Sequence, residues 1–220
     1  MGFADAILRP NQKRLLRAFS RSSLAGSFYL TGGTALAAFH LGHRVSEDLD
    51  FFTERDVPVE AVLEFLGGLG MGIPQYQHLF DRRIFLLPAA PGSALKVEFT
   101  RYPFPRCASG SEVDGVRVDS LRDILANKLL ALTERNEPKD FVDLYCGLQA
   151  AGAPSIDGLI ADAERKFGVG GVRHMLRARF LGGTPPLGGL EMRTAVDPAN
   201  VGRFFSETAR RWVRESLPEE

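Results

Sequence analysis

The chain has 220 residues, of which 45% are hydrophobic, so it can bury one good core, or a core and a smaller helical lobe. Its 27 Lys and Arg residues balance 27 Asp and Glu residues, which excludes a global basic field and leaves any nucleic acid to a local patch. Two cysteines, Cys107 and Cys146, exclude a disulfide framework or a zinc cluster and are typical of a reducing cytoplasm.

The amino-terminal part of the chain predicts a helix over residues 11–20, beginning after Pro10. Leu15 and Phe19 recur there at helical spacing. Its basic residues are interpreted as a solvated face, with contact to a polyanion as the alternative. Charged residues recur throughout residues 1–19, which excludes an apolar signal core, and no stretch is long and apolar enough to span a bilayer. We therefore expect a soluble, cytoplasmic protein with no membrane contact.

A strand, a glycine turn, a short helix and a second strand are predicted over residues 28–52. Gly32 and Gly33 lack a Cβ, so the backbone can turn sharply there and let a bulky ligand approach its amides. A helix opened by Thr34, or by Gly33 before it, points free N–H groups and the positive end of its dipole at an anion. The turn is interpreted as a phosphate cradle, with a simple structural turn as the alternative.

Asp48 and Asp50 follow on the second strand. Side chains alternate along a strand, so both project to one face, while Leu49 and Phe51 point into the protein. Two parallel carboxylates repel each other, and a hard cation between or above them removes that repulsion. The pattern therefore predicts a Mg²⁺ site beside the glycine turn, and a solvated strand face is the alternative.

The strings LTGGTAL at residues 30–36 and SEDLDFF at residues 46–52 resemble the nucleotidyltransferase AbiEii toxin family, within the DNA polymerase β-like nucleotidyltransferase superfamily. The superfamily's signature is a Gly-Gly or Gly-Ser turn, a short helix and an Asp-x-Asp pair, with a third carboxylate on a later strand. The resemblance extends to about Leu144, roughly the first two thirds of the chain. It implies an enzyme that uses Mg²⁺, or Mn²⁺ in its place, with an NTP as substrate.

Beyond this stretch, a helix is predicted over residues 58–69, with apolar residues on one face. Within the next segment, residues 75–87, strand-like character is found at 83–87. A turn at 88–92 joins this segment to a strand at 94–100, so a hairpin is predicted.

Glu98 lies on that last strand and shares a face with Lys96 and Thr100. From the residue pattern alone, this face is an ordinary polar surface. The resemblance implies that Glu98 is the third metal-side carboxylate and completes the cluster with Asp48 and Asp50. The superfamily more often has Asp at this position.

A short strand, or one arm of a turn, is predicted at 113–118, and a helix follows from the N-cap Ser120 to about Arg135. Lys128 falls in the middle of the apolar stripe of this helix. Burying a bare charge is costly, so its ammonium must reach water, meet an anion or form a buried ion pair with a carboxylate. The resemblance implies that Lys128 acts at the nucleotide phosphates.

Another helix is predicted from Pro138, and Asp140 and Asp143 lie one turn apart on it. Two acids in a first turn also suit a helix N-terminus, so a structural role is the alternative. The family typically has Arg-Asp-x-x-Asp here, and this chain has Lys139 in place of the arginine. The resemblance assigns Asp140 a site role, in which it positions or deprotonates the acceptor.

The remaining chain predicts helices at 156–167, 172–180 and 201–217, with a loop around 182–189. Arginines cluster on two of these helices. They are interpreted as solvated faces, with a groove for RNA as the alternative. The residues concerned are Arg173, Arg177, Arg179, Arg210, Arg211 and Arg214.

The predicted fold class is α/β (α+β), with a nucleotidyltransferase-type mixed sheet flanked by helices. Residues 1–118 would form the nucleotidyltransferase core. Residues 119–220 would form a C-terminal helical lobe that completes the active-site cleft.

The predicted function is Mg²⁺-dependent transfer of a nucleoside monophosphate from an NTP to an acceptor hydroxyl. Gly32, Gly33 and Thr34 would cradle the triphosphate, and Lys128 would neutralise it further. The resemblance implies a toxin, with an RNA such as a tRNA as acceptor and an antitoxin protein as partner. The alternatives are a non-catalytic nucleotide-binding regulatory module and a kinase-like phosphotransferase.

Overall fold

The computed structural model describes residues 7–89 and 94–216. The chain divides into two units, Met1–Ser120 and Leu121–Glu220. The first contains α1 (Pro10–Phe19), β1 (Tyr29–Thr31), α2 (Gly32–Ala35), β2 (Leu49–Thr53), α3 (Val59–Gly68), β3 (Gln75–Leu79), β4 (Arg82–Pro88), β5 (Ala94–Arg101), β6 (Ser111–Val113) and β7 (Val116–Val118). The second contains α4 (Leu121–Glu134), α5 (Pro138–Leu148), α6 (Ile156–Phe167), α7 (Val172–Leu181) and α8 (Pro198–Glu215).

The strands of the first unit form a seven-stranded mixed sheet in the order β3-β4-β5-β2-β1-β7-β6. β2 is antiparallel to β1 and parallel to β5, and β1 is parallel to β7. This arrangement confirms the predicted fold class, because a mixed sheet with helices is what the nucleotidyltransferase interpretation required. β2 lies inside the sheet, so Asp50 has a strand on each side, β1 and β5.

The two faces of β2 have opposite chemistry. Leu49, Phe51 and Thr53 are buried on one face. The Phe51 ring stacks on Phe99 of β5 at 5.1 Å between centroids, and it lies 4.3 Å from the ring of Phe19 at the end of α1. Because side chains alternate along a strand, this aromatic core leaves Asp50 on the opposite face.

The segment between β1 and β2 contains an unusual helix. The α-helical turn Gly32–Ala35 continues directly as a π-helix over Leu36–Leu41, which ends at Gly42 with φ +66°. The wider π turn is often found at functional sites. The strand, turn, short helix and strand predicted from the sequence are therefore all present.

Some predicted elements differ from the observed ones. Residues 75–87 are two strands, β3 and β4, joined by a turn at which Phe80 has φ +51°. All five residues of β3 are exposed, so their side chains give no apolar alternation by which the strand could be recognised. Part of the predicted turn at 88–92 lies outside the described residues, because the description resumes at Ala94.

The segment predicted as a short strand or one arm of a turn at 113–118 belongs to a hairpin. β6 and β7 pair across Asp114 and Gly115, which have φ +50° and +76°. Positive φ at both central residues matches the twist of a tight two-residue hairpin. The last helix, α8, begins three residues before the predicted start at Val201, because Asp197 caps it through the amide of Ala199. The predicted end of that helix at Leu217 lies outside the described residues.

The second unit has its own aromatic core. Phe141 of α5 lies 5.2 Å from Phe205 of α8, and Phe180 of α7 stacks on Trp212 at 5.8 Å between centroids. Leu129 of α4 is fully buried. Across both units, none of the helices in the described ranges is long and apolar enough to cross a membrane.

Candidate active site

The glycine turn lies directly against the carboxylate of Asp50. β1 ends at Thr31, which is paired with Asp50 of β2, and the chain turns at Gly32 with φ +72°. A Cβ at Gly32 would overlap Asp50 Oδ2. A side chain is therefore excluded at Gly32 both by backbone conformation and by space.

Replacing Gly32 by alanine is expected to destabilise the protein by roughly 1–3 kcal/mol, because the new Cβ meets both the positive φ and Asp50. Gly67→Ala is the matched control. Gly67 lies in α3 with no atom within 4 Å of an added Cβ, so alanine should be neutral or slightly stabilising there. Urea unfolding of both variants would measure the difference, and equal midpoints would contradict this account of the turn.

The second glycine faces a guanidinium group. A Cβ at Gly33 would lie 2.7 Å from Arg44 Nη2 and 2.9 Å from Ser46 Oγ. Arg44 is almost fully buried, and its Nη1 donates to the carbonyl of Val45 at 2.9 Å. The turn predicted to hold a phosphate therefore has a fixed positive charge beside it. Sequence reasoning missed Arg44, because a lone arginine in a loop carries no periodic signal.

The backbone leading into the aspartate pair is held by two other elements. Thr34 Oγ1 of α2 donates to the carbonyl of Asp48. Gln12 Nε2 of α1 donates to the carbonyls of Ser46 at 2.9 Å and Glu47 at 3.0 Å. Because Gln12 is only 1% exposed, these hydrogen bonds are shielded from water. Gln12 was also missed from the sequence, where it looks like one polar residue among several on α1.

The predicted carboxylates lie around Lys96. Asp50 and Glu98 are register partners on the parallel strands β2 and β5, and Asp48 immediately precedes β2. Lys96 Nζ lies 3.3 Å from Asp48 Oδ2 and 3.6 Å from Glu98 Oε2. Partial burial tends to lower the pKa of Lys96, but the charges of Asp48, Asp50 and Glu98 outweigh it and raise the pKa above its usual value. The ammonium therefore stays protonated beside the acids.

Glu98 is held in place by hydrogen bonds from two side chains. Its carboxylate accepts two hydrogen bonds from Arg82, each 2.6 Å long, and one from Thr100 Oγ1 at 2.8 Å. Burial tends to raise the pKa of Glu98, but the hydrogen bonds from Arg82 and Thr100 and nearby positive charge lower it overall. Sequence reasoning did not include Arg82, whose strand was recognised only from residue 83 onwards.

The structure brings Asp48, Asp50 and Glu98 into one neighbourhood. Among residues 7–89 and 94–216, however, no group of three or more His, Cys, Asp or Glu side chains is arranged to hold a metal ion. At Glu98, both carboxylate oxygens accept hydrogen bonds from Arg82. Its role as third metal ligand stays a prediction.

Lys128 and Asp140 lie together in the second unit. Lys128 Nζ is 2.8 Å from Asp140 Oδ1 and 2.7 Å from Asp143 Oδ2, and Arg135 Nε is 2.6 Å from Asp140 Oδ2. The side chains of both aspartates are 0% exposed and that of Lys128 is 9% exposed. The lysine in the apolar stripe therefore forms a buried ion pair, which is one of the alternatives that the sequence left open.

Electrostatics within this network favour the charged forms. Burial would lower the pKa of Lys128, but the charges of Asp143 and Asp140 outweigh it and raise that pKa. Burial would raise the pKa of Asp140, but Lys128 and Arg135 together lower it below its usual value. The roles of Lys128 at the nucleotide and of Asp140 at the acceptor stay predictions.

Comparisons with known proteins find relatives in sequence and in fold. The chain is 31% identical over 142 residues to the uncharacterized protein aq_aa25 of Aquifex aeolicus (strain VF5), a match that covers 63% of the chain and 66% of that protein. The structure is similar to JHP933 from Helicobacter pylori, with a TM-score of 0.58 and 18% identity, over 93% of the chain and 91% of that protein.

A second H. pylori structure, assigned only provisionally as a nucleotidyltransferase, matches with a TM-score of 0.57 and 17% identity, over 94% of the chain and 95% of that protein. At these identities the two structures show the shared fold alone. The model of the family described as nucleotidyl transferase AbiEii toxin, type IV TA system, matches residues 14–182, which include the glycine turn, the carboxylates and Lys128. The resemblance inferred from the motifs is thereby confirmed, and the chain belongs to the nucleotidyl transferase AbiEii toxin family.

Proposed function

We propose that this protein is a Mg²⁺-dependent nucleotidyltransferase that modifies an RNA such as a tRNA, and that it acts as a toxin countered by an antitoxin protein. The observation that carries the proposal is the contact between Gly32 and the Asp50 carboxylate. It puts a turn suited to phosphate next to an acid suited to a hard cation. Membership of the nucleotidyl transferase AbiEii toxin family supports the same reaction class and a partner antitoxin.

The acidic residues fit Mg²⁺ in their chemistry. Asp48 and Asp50 offer carboxylate oxygens, which hard cations prefer, and the side chain of Asp48 is 40% exposed. The ammonium of Lys96 already lies among these acids, and their negative charges raise its pKa. Asp48 and Asp50 would hold the ion, and Glu98 would complete the set once Arg82 released one of its oxygens. Bound Mg²⁺ would neutralise phosphate charge and favour ionisation of the acceptor hydroxyl.

The residues of the chain would mainly bind and orient the substrates. The turn at Gly32 and Gly33, where the helix begins at Gly32, would receive the triphosphate together with Thr34, and Arg44 beside the turn would add positive charge. Lys128 would neutralise the phosphates further, and Asp140 would position the acceptor hydroxyl or accept its proton. A bond would form between the acceptor oxygen and the α-phosphorus while the bond from that phosphorus to the leaving oxygen breaks, which releases pyrophosphate. Such transfer depends on positioning and charge neutralisation more than on covalent chemistry by the protein.

The test is a labelling experiment with total RNA, Mg²⁺ and each NTP, labelled in parallel at the α- or the γ-phosphate. We expect label to enter RNA from an α-labelled nucleotide and not from a γ-labelled one. Label from the γ-position alone would show a kinase-like phosphotransferase. Nucleotide binding without label from either position would support a non-catalytic regulatory module and contradict the proposed reaction.

A further inference from the structure

A basic cavity lies in the first unit, away from the carboxylates. We call it the arginine pocket; it has a volume of about 190 Å³. Its wall includes Tyr29, Thr53, Glu54, Arg55, Arg106 and Arg117. Tyr29 begins β1 and Thr53 ends β2, whereas the glycine turn and Asp50 lie at the other end of these strands. Asp50 and Thr53 are three residues apart, so the pocket begins about 10 Å from Asp50 along the sheet.

The arginines of the pocket are held by contacts that leave donors available. Arg106 Nη2 donates to Asp119 Oδ1 at 2.8 Å, and its guanidinium carbon lies 4.4 Å from the centre of the Tyr29 ring. Arg106 Nε is buried without a hydrogen-bond partner among the described residues. Arg117 Nε donates to the carbonyl of Phe28 at 3.1 Å. Since a guanidinium has five N–H donors, each of these arginines is positioned through one group and can offer others to a ligand.

The charges around the pocket favour an anion. Arg55, Arg106 and Arg117 contribute three positive charges. Two acids oppose them, namely exposed Glu54 in the wall and buried Asp119 behind Arg106. The remaining excess is positive in a chain whose formal net charge is +0. Planar guanidinium groups bind phosphate oxygens in pairs, so a phosphate group is the anion that this arrangement fits best.

We propose that the arginine pocket binds a backbone phosphate of the acceptor RNA, an inference that rests on the proposed function. Its volume suits one phosphate group and falls below the range of about 300–1,000 Å³ typical of pockets that enclose a whole small molecule. A phosphate held at this end of β1 and β2 would fix the polynucleotide while another part of it reaches Asp48 and Asp50.

Aromatic rings adjoin the pocket and suit the same ligand. Tyr29, under Arg106, lies 6.2 Å from Phe52, and Phe52 lies 4.3 Å from Tyr102. Tyr102 in turn lies 4.9 Å from Phe104. Phe52, Tyr102 and Phe104 are partly exposed. Basic groups beside aromatic rings are the usual combination for binding single-stranded nucleic acid, because the cations hold the backbone and the rings can stack with bases.

The experiment measures the affinity of the full chain for a fluorescent single-stranded RNA by anisotropy, at several salt concentrations, for Arg55→Gln/Arg117→Gln and for the wild type. We expect the double variant to bind RNA about tenfold more weakly, with a salt slope smaller by about 0.7 for each phosphate that it no longer neutralises. Arg55→Glu is a second variant. Arg55 is exposed, so this change should spare the fold, which circular dichroism would verify. The matched control is Arg21→Gln, an exposed arginine outside the pocket wall.

Two further titrations, with inorganic phosphate and with Mg²⁺-NTP, identify the source of the phosphate. The proposal is supported if both pocket variants lose RNA affinity and keep wild-type affinity for Mg²⁺-NTP. It is overturned if folded variants bind RNA as the wild type does. It is also overturned if the variants lose affinity for Mg²⁺-NTP, or if they lose affinity for inorganic phosphate but not for RNA. RNA binding does not require catalysis, so the two proposals can fail separately. If the wild-type chain never transfers label but the pocket variants bind RNA more weakly than it does, the proposed reaction is refuted and the proposed role of the pocket is retained.

Discussion

Asp48→Asn and Asp50→Asn are each expected to lower the rate of nucleotidyl transfer by at least about a thousandfold, because loss of one carboxylate removes both a ligand and a negative charge from the proposed metal site. The change should leave the fold intact at Asp48. Its backbone carbonyl, rather than its carboxylate, accepts the hydrogen bond from Thr34, and Gln12 holds the two residues before it. Incorporation of α-labelled nucleotide into RNA, at saturating NTP, is the measurement.

Asp114→Asn is the matched control for these two variants. Asp114 is exposed in the hairpin turn between β6 and β7 and has φ +50°, a conformation that asparagine adopts readily. The control should therefore keep full transfer activity. Mn²⁺ binding followed by electron paramagnetic resonance should weaken in the two site variants and not in the control. If Asp48→Asn and Asp50→Asn both retained most of the activity, the assignment of the metal site would be wrong.

Lys128→Met is expected to cost about 3–5 kcal/mol of unfolding free energy, the second large effect. Methionine fills much of the space of the lysine stem, but it leaves two carboxylates that are 0% exposed without their shared cation. Arg135 still contacts Asp140, so part of the charge pairing of that carboxylate is kept. Urea denaturation at pH 7 would measure the loss.

Lys139→Met is the control for this prediction. Lys139 precedes Asp140 in the chain and is only partly buried, so its loss should change stability by less than about 0.5 kcal/mol. Asp143→Asn should lower the unfolding free energy less in the Lys128→Met background than in the wild type. In that background the carboxylate has already lost its partner ammonium, so replacing it with an amide removes less. Strictly additive losses would show that Lys128 and Asp143 do not stabilise each other.

The same network predicts how stability depends on pH. The folded-state pKa of Asp140 is lowered, so its contribution is present above the unfolded pKa, near 3.9, and is lost as pH falls through the folded value. The folded-state pKa of Lys128 is raised, so its contribution is complete below about pH 10 and is lost as pH rises further. Without Lys128, acid can protonate the carboxylates that the ammonium had kept ionised. The deficit of Lys128→Met should therefore shrink between pH 7 and pH 4.

Local sequence patterns predicted most of the elements of the fold. The glycine turn, the short helix and the strand with alternating Asp50 and Phe51 follow from residues close together in sequence, and so do the helices with apolar stripes. β3 escaped recognition because both of its faces are exposed, and tertiary pairing with β4 rather than side-chain alternation makes it a strand.

The candidate site was predictable only in part, and the missing residues share a reason. Gln12, Arg44 and Arg82 reach the site from a helix, a loop and a neighbouring strand, and nothing in their own sequence neighbourhood marks the contact. Lys128 is the converse case. Its place in an apolar stripe predicted that it needs a partner, whereas the choice of Asp140 and Asp143 depends on how α4 packs against α5.

Gln12 connects the amino-terminal helix to the candidate site, although that helix holds no acid of the Asp-x-Asp pair. Replacing Gln12 by leucine would keep both aspartates and the buried core residue Phe19, yet the carbonyls of Ser46 and Glu47 would lose the amide that donates to them. The loop before Asp48 would gain freedom, and the two acids would spend less time aligned for an ion. Weak activity in such a variant would thus be a fault of alignment rather than of missing chemistry.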